Sequence, residues 1–171
     1  AQYIESEFER IGLTKYNNFS SYRQNFIARD IEMFNVIGVW EGKSRKDEYV
    51  VVSAHYDHLG IQNSTVYNGA DDNASGVSAL LAFAQYFKKN PPKHSVILAA
   101  FDAEELGMKG SSYFIKNLFF SQKKIMLNLN MDMISRSDKN ELYVVGSNLN
   151  KSLKKAVCCI KSKKVKLVTG H

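Results

Sequence analysis

Four stretches of this 171-residue sequence carry side chains able to hold a divalent metal ion. They are His55-Tyr56-Asp57, Gly69-Ala70-Asp71-Asp72-Asn73-Ala74-Ser75-Gly76, Asp102-Ala103-Glu104-Glu105, and Asp132 within Asn130-Met131-Asp132-Met133-Ile134. Imidazole nitrogens and carboxylate oxygens are the donors that zinc and related ions take. Taken singly, each stretch has an ordinary explanation. A lone histidine at a strand end is more often a hydrogen-bonded structural residue. Asp71-Asp72 ahead of a helix reads as capping residues favourable to the helix dipole, with Asp72 or Asn73 in that role. Glu104-Glu105 would suit the first turn of a surface helix. Asp132 is harder to set aside, because it lies among the apolar residues of Leu127 to Ile134, and a carboxylate in such surroundings needs a partner.

The elements predicted around these stretches bring them together. Tyr3, Ile4, Phe8 and Ile11 recur at helical spacing and stop at Gly12, predicting an opening helix. Residues 34–40 and 48–54 read as strands joined by a hairpin through the polar stretch 41–47, and Val50-Val51-Val52 marks a strand covered on both faces. Residues 74–89 put Val77, Leu80, Leu81, Ala84 and Phe87 on one helical face, closed by Asn90-Pro91-Pro92. A strand over 95–101, a helix over 111–120, a strand over 125–131, a strand over 142–145, a helix near 150–160 and a strand over 165–168 complete the alternation. Strands separated by helices imply right-handed crossovers and an α/β fold: a mixed, mostly parallel sheet flanked by helices on both faces. In such a sheet, ligands gather outside the carboxyl ends of the strands. Three strand ends here deliver His55, Glu104-Glu105 and Asp132, and a helix N-terminus adds the aspartates of the glycine-flanked loop. A single metal centre accounts for all four at once.

Composition narrows the alternatives. With 44% hydrophobic residues the chain can bury a core, and no run of about 18 apolar residues exists to span a bilayer. The segment Ala1 to Arg10 is too charged for a signal peptide. Net charge is +6, but seven lysines between Lys151 and Lys166 account for it, and the remainder holds 16 basic against 17 acidic side chains. Around Leu153, Ala156, Val157 and Ile160 these lysines read as the solvated face of a short helix, so no nucleic-acid partner is expected. A polyanion site would need them to converge on one groove, and would bind with strong salt dependence. Cys158 and Cys159, adjacent on that helix, read as free thiols, one buried and one at the surface.

The order His-x-Asp, Gly-Ala-Asp-Asp-Asn-Ala-Ser-Gly, Asp-Ala-Glu-Glu-Leu-Gly, Asn-Met-Asp-Met-Ile resembles the two-zinc aminopeptidases of the aminopeptidase Y and bacterial leucyl aminopeptidase type, metallopeptidase family twenty-eight. The resemblance runs from about Val36 to Ser135. It implies a zinc-peptidase-like three-layer α/β/α fold, with residues 1–171 as one catalytic domain. It further implies that His55 and Asp132 bind one zinc, that Asp71 bridges two zinc ions, that Glu105 binds the second, that Glu104 is the general base and that Asp57 orients His55. Two divalent ions about 3.5 Å apart repel by something on the order of 20 kcal/mol at an effective dielectric of about 20, so a shared carboxylate between them is physically required. A cis peptide between Asp71 and Asp72 is implied as well. The family's last ligand is a histidine well downstream; His171 is closer to Asp132 than that ligand should be, which reads as a chain cut short of it. The expected substrate is a peptide or amino-acid conjugate with a free N-terminus, and the resemblance together with the absence of a leader points to a secreted or periplasmic enzyme. The rival readings are a one-zinc glutaminyl cyclase and a receptor-like binding domain of the same fold that has lost the chemistry.

Overall fold

The computed structural model describes residues 1–169; His171 lies outside them. The apolar runs 50–54 and 96–101 form adjacent parallel strands at the heart of the main sheet, β4 (Arg45–His55) and β7 (His94–Phe101). On the far side of β4 lies β8 (Ile125–Asn130), also parallel. On the far side of β7 lies β3 (Ile31–Trp40), antiparallel, which also carries β1 (Thr14–Lys15) and β2 (Arg23–Ala28). The sheet is therefore mixed, with strand order β1-β3-β7-β4-β8. A separate small hairpin is formed by β5 (Gly60–Gln62) and β6 (Thr65–Tyr67).

The expected hairpin between β3 and β4 is not formed, because β7 lies between them. The connection instead runs across the entry to β7: Lys43 N–H donates to Pro92 O, Arg45 N–H to Lys93 O and Gly42 N–H to Ser95 Oγ, at 2.9–3.1 Å. This arrangement gives β4 a hydrogen-bonded neighbour on each edge, as a strand that is apolar on both faces requires.

Helices cover both faces. α1 (Gln2–Ile11) buries Ile4, Phe8 and Ile11 and is ended by Gly12 in the left-handed conformation, as its spacing predicts. It packs with α2 (Gly76–Lys89) over one face of the sheet. On the other face Ile97, Ala99 and Phe101 of β7 and Val51 of β4 cluster with Phe114 of α3 (Lys109–Lys116). That helix stops at Lys116, four residues earlier than its periodicity suggests. Beyond it Phe119 sits edge-on to Tyr16 and Phe120 stacks on Tyr49 at 3.9 Å between ring centroids, contacts that a continued helix would break.

Two compact units are distinguished, Ala1–Met133 and Ile134–His171. In the second, β9 (Glu141–Val144) pairs in parallel with β10 (Lys166–Thr169), with α4 (Lys151–Cys158) between them in sequence. Val157 is buried and Leu153 half-buried, while Ala156 and Ile160 are exposed along with the lysines. Both cysteines are free and both are exposed, so the expectation of one buried thiol is corrected: α4 buries a single narrow stripe, which misses positions 158 and 159. Among the described residues no helix is long and apolar enough to cross a membrane.

Gly42 is where the β3–β4 connection meets β7 most tightly. A Cβ there would stand 2.5 Å from Lys93 O and from the carbonyl carbon of His94, which are backbone atoms that cannot swing away. Gly42→Ala is expected to destabilise the fold by about 1–3 kcal/mol, the usual cost of overpacking. Urea denaturation should show a lowered midpoint with an unchanged slope.

Candidate metal centre

Strand register brings the sequence's four stretches to one edge. His55 ends β4 opposite Phe101, the last residue of β7, and Ser53 lies opposite Asn130, the last residue of β8. Met131 N–H donates to Ser53 O at 2.9 Å and carries that pairing one step further. The residues following β7 and β8, Asp102–Glu105 and Asp132, therefore emerge beside His55. The fourth stretch, Ala70–Ser75, is a turn that leaves helical geometry at Asp72 and Asn73 and leads directly into α2.

His55 Nε2 lies 3.0 Å from Asp72 Oδ1 and 3.6 Å from Asp132 Oδ1, and the three ligand atoms all fall within 4.8 Å of one another. Donors around a tetrahedral zinc at about 2.0–2.2 Å stand about 3.3–3.6 Å apart, so the group is the right size for one ion. His55 is buried, whereas the Asp72 and Asp132 side chains are 43% and 47% exposed, leaving the group open on one side. His55 and Asp132 are brought together as the sequence implies. The aspartate joining them is Asp72 in place of Asp71, and the cis peptide is Asp72–Asn73 in place of 71–72, so both readings move one residue along the chain. Two adjacent aspartates gave the sequence no means of choosing. The Asp71 carbonyl accepts the Ser75 hydroxyl at 2.7 Å. The capping role falls to Asn73, whose Oδ1 accepts Gly76 N–H at 3.0 Å. The apolar burial expected around Asp132 is also corrected: among the described residues β8 has one strand neighbour, and Leu127 and Leu129 are more than a third exposed.

Asp57 ties two of these stretches together. Its Oδ1 accepts Glu104 N–H at 3.0 Å and its Oδ2 accepts Glu105 N–H at 3.1 Å, so one carboxylate fixes the backbone of both glutamates. His55 Nδ1 is 3.1 Å from the Asp57 carbonyl and 3.5 Å from its carboxylate. The ring is thus oriented chiefly by the backbone of Asp57, with its carboxylate committed to the glutamate amides. An Nδ1–H donated to that carbonyl leaves the Nε2 lone pair facing Asp72 and Asp132. Sequence reasoning had no signal for Tyr56, whose hydroxyl lies 2.7 Å from Phe34 O and 2.8 Å from Asp102 Oδ2, holding the base of the glutamate loop to β3.

The charges of these side chains act on one another. Burial works against charge on His55, yet its contact with Asp57 and the fields of Asp132, Asp57 and Glu104 outweigh burial and push it up to about 9. Burial also opposes charge on Asp57, but His55 and the two glutamate amides hold its carboxyl below the ordinary range. Glu105 stands outside the group of three; slight burial and then the charges of Asp72, Glu104 and Asp57 raise its carboxyl. Glu104 lines, with His55 and Asp132, a cavity of about 340 Å³ that extends over Ser53, Phe101 and Asn130. An imidazole and several carboxylates gathered at one strand edge offer the nitrogen and oxygen donors that a divalent metal ion takes.

Comparison with known proteins agrees. The profile of Peptidase family M28 matches residues 35–166. Aminopeptidase YwaD of Bacillus subtilis is 38% identical over 114 residues, which cover 64% of this chain and 24% of that protein. The chain thus spans about a quarter of that relative's length. The crystal structure of a zinc aminopeptidase from Bacillus subtilis superposes with a TM-score of 0.65 at 31% identity, covering 83% of this chain and 36% of that one. A glutaminyl cyclase from Bacteroides thetaiotaomicron superposes with a TM-score of 0.72 at 21% identity over 99% of this chain and 66% of that one, a likeness of fold alone.

Asp57→Ala would strip the acceptors from two backbone amides. Because a lost charged acceptor leaves its donors unsatisfied, a destabilisation of about 1–3 kcal/mol is expected. Amide hydrogen exchange at Glu104 and Glu105 should accelerate more than exchange at the centre of β7; equal acceleration everywhere would contradict this role.

Proposed function

The chain belongs to peptidase family M28, and on that premise we propose that it carries the catalytic site of a zinc aminopeptidase acting on peptides or amino-acid conjugates with a free N-terminus. The observation that carries this reading is the meeting of His55, Asp72 and Asp132 within 4.8 Å, with Glu104 on the wall of the same cavity. His55 and Asp132 would hold one zinc, Glu105 a second, and Asp72, with two carboxylate oxygens, would be shared between them. Glu105 lies near enough to Asp72 for the charge of that carboxylate, after burial, to raise its own carboxyl. Zinc bound there supplies Lewis acidity, polarising the scissile carbonyl and lowering the pKa of a water toward neutrality.

The side chains do the rest. Glu104 takes the proton from the attacking water and returns it to the leaving amine, the exchange that a positioned carboxylate performs best when its backbone is fixed. Asp57 fixes it through the Glu104 amide. Asp57 also keeps Nδ1 of His55 engaged so that Nε2 faces the ion. Neighbouring glutamates need not share a role, since consecutive side chains diverge.

Metal analysis and turnover of an aminoacyl anilide test the reading. Glu104→Gln keeps size and loses basicity, so turnover should fall about 10²–10⁴-fold with zinc content unchanged. Asp72→Asn should lose zinc while Asp71→Asn keeps it; the reverse result would restore Asp71 as the shared ligand. Release of ammonia from a peptide with N-terminal glutamine, without hydrolysis of the anilide, would assign the site to cyclisation instead.

A further inference from the structure

Asp72 and Asp132 come from parts of the chain about sixty residues apart and repel each other, so their spacing must be imposed from outside the pair. Asn73, only 1% exposed, is placed to impose it. Its Nδ2 donates to Met131 O at 3.0 Å, and its Oδ1 accepts Met133 N–H at 3.3 Å. One carboxamide therefore grips the backbone on both sides of Asp132, while its own backbone continues directly from Asp72. The same Oδ1 accepts Gly76 N–H, which fixes the grip to the first residue of α2. A second observation points the same way. A Cβ on Gly76 would stand 2.5 Å from Met131 O and 2.6 Å from Asn73 Oδ1, so the helix and the Asp132 segment meet at this distance only because position 76 has no side chain.

We propose that Asn73 is a positioning residue for the metal centre: it sets the separation of the Asp72 and Asp132 carboxylates, and with it the affinity and the coordination of the ion they share. A carboxamide suits this task better than a charged group. It donates and accepts at once, matching one carbonyl and one amide, and adds no charge to compete with the ion. Helix capping uses the Oδ1 to Gly76 bond alone, and would not require the two bonds that bracket Asp132. The inference rests on the metal reading of this site.

The test measures zinc affinity by competition with a chromophoric chelator, together with the visible absorption of the cobalt(II)-substituted protein, for the natural sequence, Asn73→Ala, Gly76→Ala and Ser78→Ala. Ser78, exposed on α2 with its hydroxyl on Ala74 O, serves as the control on the same helix. Asn73→Ala should weaken zinc about 10–100-fold, as loss of a group that orients ligands does, and should change the cobalt spectrum, while the metal-free protein stays folded and Ser78→Ala behaves as the natural sequence. Should Asn73→Ala fail to fold, Gly76→Ala carries the test, since it keeps the carboxamide but forces the joint apart, and it should shift affinity and spectrum in the same direction. Natural-sequence affinity and an unaltered spectrum in a folded Asn73→Ala, or in Gly76→Ala if only that variant folds, would reduce Asn73 to a helix cap and leave the metal reading intact. Absence of zinc binding by the natural sequence would overturn the metal reading itself, and this inference with it.

Discussion

Five carboxylates, those of Asp57, Asp72, Glu104, Glu105 and Asp132, are gathered around a single buried imidazole, and their mutual repulsion is the force the surrounding structure has to resist. Parallel register across β7, β4 and β8 delivers them to one edge, but register alone sets nothing finer than the few ångströms between strands. The finer spacing comes from polar ties. Asp57 is neutralised in part by two amides, and in accepting them it anchors Glu104 and Glu105. The acidic site is thus built partly by making one acid the support of two others.

The remaining ties are uncharged. Asn73 joins the Asp72 turn to the Asp132 segment. Asn35, fully buried, does the same for the glutamate loop: its Oδ1 accepts Asp102 N–H at 3.1 Å and its Nδ2 donates to Gly110 O at 2.9 Å, closing the loop at its base. Each asparagine faces a glycine, Gly76 or Gly110, at which a Cβ would collide with the carboxamide oxygen. Buried amides of this kind are costly unless satisfied on both sides. Here both sides are satisfied, so each amide specifies one arrangement of the loops and penalises others.

Much of this was legible in the sequence, for identifiable reasons. Helical periodicity marked α1 and α2, apolar runs marked β4 and β7, and the rule of strand carboxyl ends selected His55, the glutamate pair and Asp132 before any contact was known. What could not be read depended on long-range geometry. The hairpin expected between β3 and β4 fails because β7, forty residues on, lies between them. Choosing Asp72 over Asp71 requires the path of the backbone through residues 70–75, which two identical neighbours do not encode. The strand-end rule found Asp132 correctly, whereas the added argument from its apolar neighbours does not hold for Leu127 and Leu129, which are more than a third exposed. Asn73 and Asn35 look in sequence like any polar residue beside a turn; only their partners, fifty-eight and seventy-five residues away, give them meaning.

β8 has one strand neighbour among the described residues, and its apolar side chains are partly open to solvent. Few buried apolar contacts and exposed backbone hydrogen bonds mark the parts of a protein that open locally before the whole unfolds. Asp132 hangs from that strand, whereas His55 ends a central one. An ion shared by the two would therefore brace an outer strand of the parallel half against a central one. Parting that strand from the sheet would then release the metal in the same event, and a bound ion would hold the strand in place.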